Sequence, residues 1–193
     1  MKPNVPIKNR LLNGLNAREK VLEILFQYPE GEFSLSDLAK KSCVAKANIG
    51  KILGELEREE IISIEKLSKI WRIRANVDSP HYNKQKIVHN LDLIYKSGLT
   101  DFLIDHFDNP KAIVLFGSFR KGEDLSESDI DIAIESGNGE SGYEIIKLKE
   151  LSKFEKNIGR KIQIHIFQRN KVEKNLFNNI VNGIVLSGHL EVG

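Results

Sequence analysis

Residues 129–135, Asp-Ile-Asp-Ile-Ala-Ile-Glu, alternate polar and apolar side chains with period two. Such a run makes a strand that turns Ile130, Ile132 and Ile134 to one face and Asp129, Asp131 and Ala133 to the other. Two carboxylates two residues apart on one strand face repel each other. A divalent cation between them removes that cost, because carboxylate oxygens are the hard donors that Mg²⁺ or Mn²⁺ prefers, and a triphosphate completes the coordination shell. Upstream, the apolar run from Ala112 to Phe116 breaks at Gly117-Ser118, where glycine lets the backbone turn sharply and a phosphate come close. The polar stretch from there to Ser128 reads as a loop or a short helix. Phosphoryl and nucleotidyl transfer need metals that bridge phosphate oxygens. Asp129 and Asp131 are therefore the candidate catalytic and metal-holding residues, and Gly117 and Ser118 the candidate nucleotide-binding pair.

The order strand, Gly117-Ser118, ten-residue spacer, Asp129-x-Asp131 resembles the signature of nucleotidyltransferases with the polymerase-beta-like fold, and most closely their minimal nucleotidyltransferase subgroup. The resemblance covers about residues 83–190. It implies a small mixed sheet with flanking helices, with Mg²⁺ as cofactor and ATP as substrate. After the Asp-x-Asp strand, residues 142–159 read as a helix, "KIQIHIF" as a strand, "KVEKNLFNNIVNG" as a helix and "IVLSG" as a last strand. In the family the strand matching "KIQIHIF" supplies a third carboxylate. Here that position is Gln163, a weak metal ligand at best, and His165 is next on its face. The resemblance also implies an acceptor: such proteins transfer AMP to a tyrosine of a separate, helical HEPN-type toxin, in an antitoxin role.

Residues 16–76 carry a different pattern. An Asn16 cap opens a helix with Val21, Leu22, Ile24, Leu25 and Tyr28 on its stripe, which Pro29 and Gly31 end. Ser34, with Asp37 three residues on, opens a second helix. Ile49, Ile52, Leu53 and Leu56 mark a third, which starts basic and ends acidic. That polarity runs against the helix dipole, so a partner rather than helix stability explains it. Alternation through residues 62–74 around Leu67-Ser68 makes two antiparallel strands. Three helices and a ribbon resemble the winged helix-turn-helix family. That resemblance implies DNA contact by Lys46, Asn48 and Lys51 on the third helix and by Lys66, Lys69 and Arg72 on the wing. Cys43 reads as a small buried residue at the turn, and Trp71 as packing the wing on the helices.

The expected fold is therefore α+β: an N-terminal winged helix-turn-helix over residues 1–79 and a small mixed-sheet nucleotidyltransferase domain over residues 80–193. A connector, "NVDSPHYNKQ", joins them ahead of helices at about 83–96 and at "LTDFLIDHF". Net charge is only +2 in 193 residues, too little to mark the whole chain as a nucleic-acid binder, so local clusters matter more. Four lysines and no acid lie between Lys40 and Lys51. A single cysteine excludes an internal disulfide and suits a reducing, cytoplasmic setting. No apolar run reaches the length of a membrane span, so no membrane partner is expected. His81, His89, His106 and His189 show no metal-ligand pairing and read as ordinary polar residues. Three functions stay open: a DNA-tethered transferase that modifies a protein partner, a transcription regulator whose degenerate transferase domain senses nucleotide, and an adaptor. The oligomeric state is open too, a homodimer included.

Overall fold

The computed structural model of the 193-residue chain describes residues 12–67, 70–136 and 142–191. It divides into two compact units, one ending at Gln85 and the other beginning at Lys86. No helix among the described residues is long and apolar enough to cross a membrane.

In the first unit, helix α1 (Ala17–Gln27) starts at a reciprocal cap. The Asn16 side chain accepts from the Glu19 backbone and the Glu19 carboxylate accepts from the Asn16 backbone, so two orphan donors of the first turn are satisfied. A two-residue strand β1 (Glu32–Phe33) follows, then α2 (Leu35–Ser42), capped by Ser34. Cys43 ends α2 with a left-handed backbone at φ 55° and is exposed, not buried as the sequence suggests. The position selects for a tight turn, and the side chain is left in solvent.

Helix α3 (Lys46–Arg58) turns Ile49, Ile52, Leu53 and Leu56 inward. The ribbon is β2 (Ile62–Leu67) with β3 (Ile70–Ala75). The strand β1 pairs with the other edge of β3, giving the order β1-β3-β2. This third strand is not apparent in the sequence, because two residues are too few to show a period. Trp71 packs on the core formed by α1, α2, α3 and the ribbon. The order helix, strand, helix, helix, two-stranded wing is that of a winged helix-turn-helix.

Helix α4 (Pro80–Lys96) begins three residues earlier than the apolar stripe indicates, so part of the expected connector is helical. Pro80 sits at its first turn, where a missing N–H costs nothing. Tyr82 is fully buried in the first core and donates its hydroxyl to the Leu25 carbonyl at 3.1 Å.

The second unit continues with α5 (Leu99–His106), β4 (Ala112–Phe116), α6 (Gly117–Lys121), β5 (Ile130–Glu135), β6 (Tyr143–Ile146), α7 (Ser152–Ile158), β7 (Ile162–Phe167), α8 (Lys174–Val181) and β8 (Ile184–Gly188). Among the described residues its five strands form one sheet in the order β6-β7-β5-β4-β8. The β5–β7 pair is parallel and the others are antiparallel. Ile130, Ile132, Ile134, Ile162 and Ile164 face a core shared with α4, α5 and α7. On the opposite face Ala133 and Phe167 meet α8 through Ile180, Leu176 and Phe177.

The helix expected over residues 142–159 is a correction. Its first four described residues after Gly142 form the edge strand β6, and only Ser152–Ile158 is α-helical. The run Tyr143-Glu144-Ile145-Ile146 carries β-branched and aromatic side chains, and an open edge of β7 to pair with decides the outcome.

Within α4, His89 is half-buried and its pKa falls from 6.5 to about 4, mainly through burial. The charges of Lys86, Arg160 and Lys96 lower it further and Asp92 opposes them. His89 is thus neutral in the folded protein but titrates near 6.5 when unfolded. Its contribution to stability is complete above pH 6.5 and is lost as pH falls toward 4, by about 2–3 kcal/mol. Urea unfolding across this pH range should show the loss, and His89→Gln should flatten it.

Candidate functional site

The sequence-predicted residues of the second unit converge at one end of the sheet. The strand β4 delivers Phe116, and the chain then turns through Gly117, whose φ is +74°. Register pairs Phe116 with Asp131 across the antiparallel β4–β5 ladder, and Asp131 with Gln163 across the parallel β5–β7 ladder. Asp129, Asp131, Gln163 and His165 therefore share one face. A Cβ on Gly117 would strike the Asp131 carboxylate, with its Cγ at 3.2 Å. The glycine makes room first for that carboxylate, a tighter constraint than the room for phosphate read from the sequence alone. Ser118 follows, half-buried, in α6.

Both aspartates are half-buried and each meets a neighbour on β7. The Gln163 side-chain amide donates to Asp129 Oδ2. His165 Nε2 lies 3.2 Å from Asp131 Oδ1, and His165 Nδ1 lies 2.7 Å from the hydroxyl of Tyr143 on β6. A carboxylate only accepts, so the imidazole proton belongs on Nε2 and the phenol donates to Nδ1. Burial, and next the Asp131 charge, raise the Tyr143 pKa, which keeps that phenol protonated. Phe116 presses edge-on against the His165 ring at 4.9 Å between centroids.

Among the described residues no group of three or more His, Cys, Asp or Glu could hold a metal by itself. Two carboxylates with a neutral amide beside them still fit Mg²⁺ in its usual protein setting, where one or two carboxylates act together with substrate phosphates. Asp129 and Asp131 would hold the ion. Gln163 would reach it only by turning its amide oxygen toward it, away from the orientation in which it donates to Asp129.

The loop between α6 and β5 is anchored by a buried polar cluster. Asp124 is 1% exposed, as is Lys86, and their side chains pair at 3.1 Å. The Lys86 ammonium also donates to the Asp124 carbonyl. Asn90 donates to Asp124 Oδ1 at 2.9 Å and to the Phe119 carbonyl at 2.8 Å. Arg160, before β7, stands 3.7 Å from Asp124 Oδ2. Sequence reading missed this cluster, since its members are far apart along the chain and each looks like an ordinary surface charge. It also gave His165 no role and passed over Tyr143. The alternation Gln163, His165 placed the imidazole on the aspartate face, but the tyrosine was concealed by the helical reading of its segment.

On the winged helix, Lys46, Asn48 and Lys51 are exposed on α3. Gly50 and Gly54 lie on the solvent side of α3, with open space where a Cβ would stand. The ammonium of Lys66 lies 4.9 Å from the centre of the Trp71 ring. Lys69 falls outside the described residues. Arg72, a candidate DNA contact on the wing, pairs with Glu32 at 2.7 Å and with Glu65 at 3.0 Å. Arg74 pairs with Glu32 at 2.6 Å. The hydrogen bond from Arg74, with the charges of both arginines, holds the Glu32 carboxyl below its ordinary pKa.

Comparison with curated proteins found no match. Three distantly similar solved structures are reduced HlyU from Vibrio cholerae N16961, the transcriptional regulator PA4135, and Rv0081 from M. tuberculosis. HlyU is 16% identical at a TM-score of 0.33, over 42% of this chain and 81% of that one. PA4135 is 20% identical at 0.36, over 49% and 66%, and Rv0081 is 18% identical at 0.32, over 50% and 86%. Residues 97–189 match the family model described as Polymerase beta, Nucleotidyltransferase. Over those residues the second unit is similar to nucleotidyltransferases of the polymerase-beta type, and the first unit has the element order of a winged helix-turn-helix.

Proposed function

We propose that the chain is a DNA-binding, Mg²⁺-dependent nucleotidyltransferase that moves AMP from ATP to a hydroxyl on a protein partner. The observation that carries this reading is the convergence of Gly117, Asp129 and Asp131 at one end of the sheet, in the register β4–β5 imposes. A bound divalent ion supplies charge neutralisation for the triphosphate. The chain's own residues do the rest: Asp129 and Asp131 would hold that ion and so set where the triphosphate lies, and Gly117 and Ser118 admit the phosphates. A helical HEPN-type protein is the partner that the family resemblance suggests, and an antitoxin role follows from it. Exposed Lys46, Asn48 and Lys51 on α3, beside the low surface that Gly50 and Gly54 leave, support DNA contact and control of the chain's own expression.

A second reading is favoured by one contact. Gln163 stands where the family carries a third acid, and its amide donates to Asp129. A site quenched in this way suits a regulator that senses nucleotide without turning it over.

Labelled ATP with Mg²⁺ and candidate partner proteins separates the two. Transfer that disappears in Asp129→Asn and Asp131→Asn is the expected result. In Gln163→Asp it should persist or rise, because the new carboxylate adds a hard donor to the same face. Tight ATP binding with no transfer by parent or by Gln163→Asp would establish the sensing role instead.

A further inference from the structure

Tyr143, His165 and Asp131 come from three adjacent strands, β6, β7 and β5, and form one line of contacts across a single face of the sheet. The proton assignment above leaves the Nδ1 lone pair of His165 facing the phenol. The imidazole is held in place from several sides. Asp131 accepts from its Nε2, Phe116 meets its face edge-on, and the Tyr143 ring lies nearly parallel to it at 28° and 5.9 Å. A hydroxyl on an imidazole that is itself oriented by a carboxylate is the arrangement that prepares an oxygen for attack. Here that carboxylate also belongs to the nucleotide site. Tyr143 is 36% exposed, so its side chain borders solvent.

We infer that Tyr143 is a modification site, its phenol oxygen accepting a nucleoside monophosphate from a nucleoside triphosphate held at Gly117 and Asp131. The inference rests on the transfer reading above and names an acceptor within the chain itself. Tyr143 Oη forms a bond to the α-phosphorus. The bond from that phosphorus to the bridging oxygen breaks, and pyrophosphate leaves. The phenolic proton passes to His165 Nδ1 and from there to water. The product is a phosphodiester where the hydroxyl met the imidazole, so each chain is modified once. Its acceptor position is then closed to any other hydroxyl.

The full-length protein, incubated alone with ATP and Mg²⁺, tests this by intact mass and peptide mapping. The expected result is one adenylate per chain on the peptide that contains Tyr143, and none in Tyr143→Phe or Asp131→Asn. A second measurement needs neither nucleotide nor metal. Nitrogen-15 spectra of labelled histidines should show His165 protonated at Nε2, and its Nδ1 signal should move in Tyr143→Phe. Label on a foreign acceptor with Tyr143 unmodified would overturn the inference and leave the transfer reading standing. Absence of both ATP binding and label would overturn the two together. A His165 proton on Nδ1 would also overturn it, because the phenol would then face a donor.

Discussion

Asp124→Ala should destabilise the protein by about 3–5 kcal/mol, the cost of leaving buried charge uncompensated. The side chain is the common anion for Lys86 and Arg160, and it accepts from Asn90 as well. Lys86 is 1% exposed, so removing the carboxylate takes away the charge that offsets its burial. The backbone carbonyl of Asp124 would remain as an acceptor, but a dipole does not replace a full charge. Lys86→Met should cost less, since Asp124 then keeps Arg160 and Asn90 and the methionine fills the same volume. Urea unfolding followed by circular dichroism measures both variants. An Asp124→Ala loss below about 1 kcal/mol, the size of an exposed pair, would mean that water reaches the cluster.

Gly117→Val should abolish nucleotidyl transfer while a folded protein remains. Two effects act together. A β-branched residue at φ +74° adopts a backbone region that costs L-residues about 1–2 kcal/mol or more. Its Cβ also occupies the space of the Asp131 carboxylate, so the aspartate must leave the position that the register gives it. Asp131→Ala in the Gly117→Val background removes the clash. The double variant should therefore regain part of the lost stability and none of the activity, a coupling that a double-mutant cycle reads directly. Ser118→Ala makes the contrast, because loss of one hydroxyl contact is worth about 1 kcal/mol. If Gly117→Val retained transfer, Asp131 would not be part of the reacting site.

What the sequence revealed and what it hid follow from the range of the forces involved. The caps at Asn16 and Ser34 were legible because each is a local hydrogen bond between residues three apart. The strand β5 was legible because its alternation is strict and one face is wholly isoleucine. The placement of Gln163 beside the aspartates came from the family resemblance, which sets the strand of residues 162–167 next to β5, and the register agrees with it. Residues 143–146 misled because four residues support either period, and only the open edge of β7 decides between them. The partners of Arg72 were hidden for a related reason. Glu32 lies forty residues away in the chain and reaches the wing only through β1. The Lys86–Asp124–Arg160 cluster joins three segments that no local pattern connects.

The position of β7 between β5 and β6 also sets an order of assembly. The strands β5 and β6 follow each other in the chain but never pair, since each bonds to β7, which is made later. Until residues 162–167 arrive, one edge of β5 has no partner and β6 has nothing to pair with. Parallel pairing across such a separation is a slow, non-local event that must overcome chain entropy before any contact rewards it. Insertion of β7 brings Gln163 to Asp129, His165 to Asp131 and Tyr143 to His165 in a single step. A chain truncated before residue 162 would keep the β4–β5 pairing that sets Gly117 against Asp131 but would lack the Gln163 and His165 partners of the two aspartates.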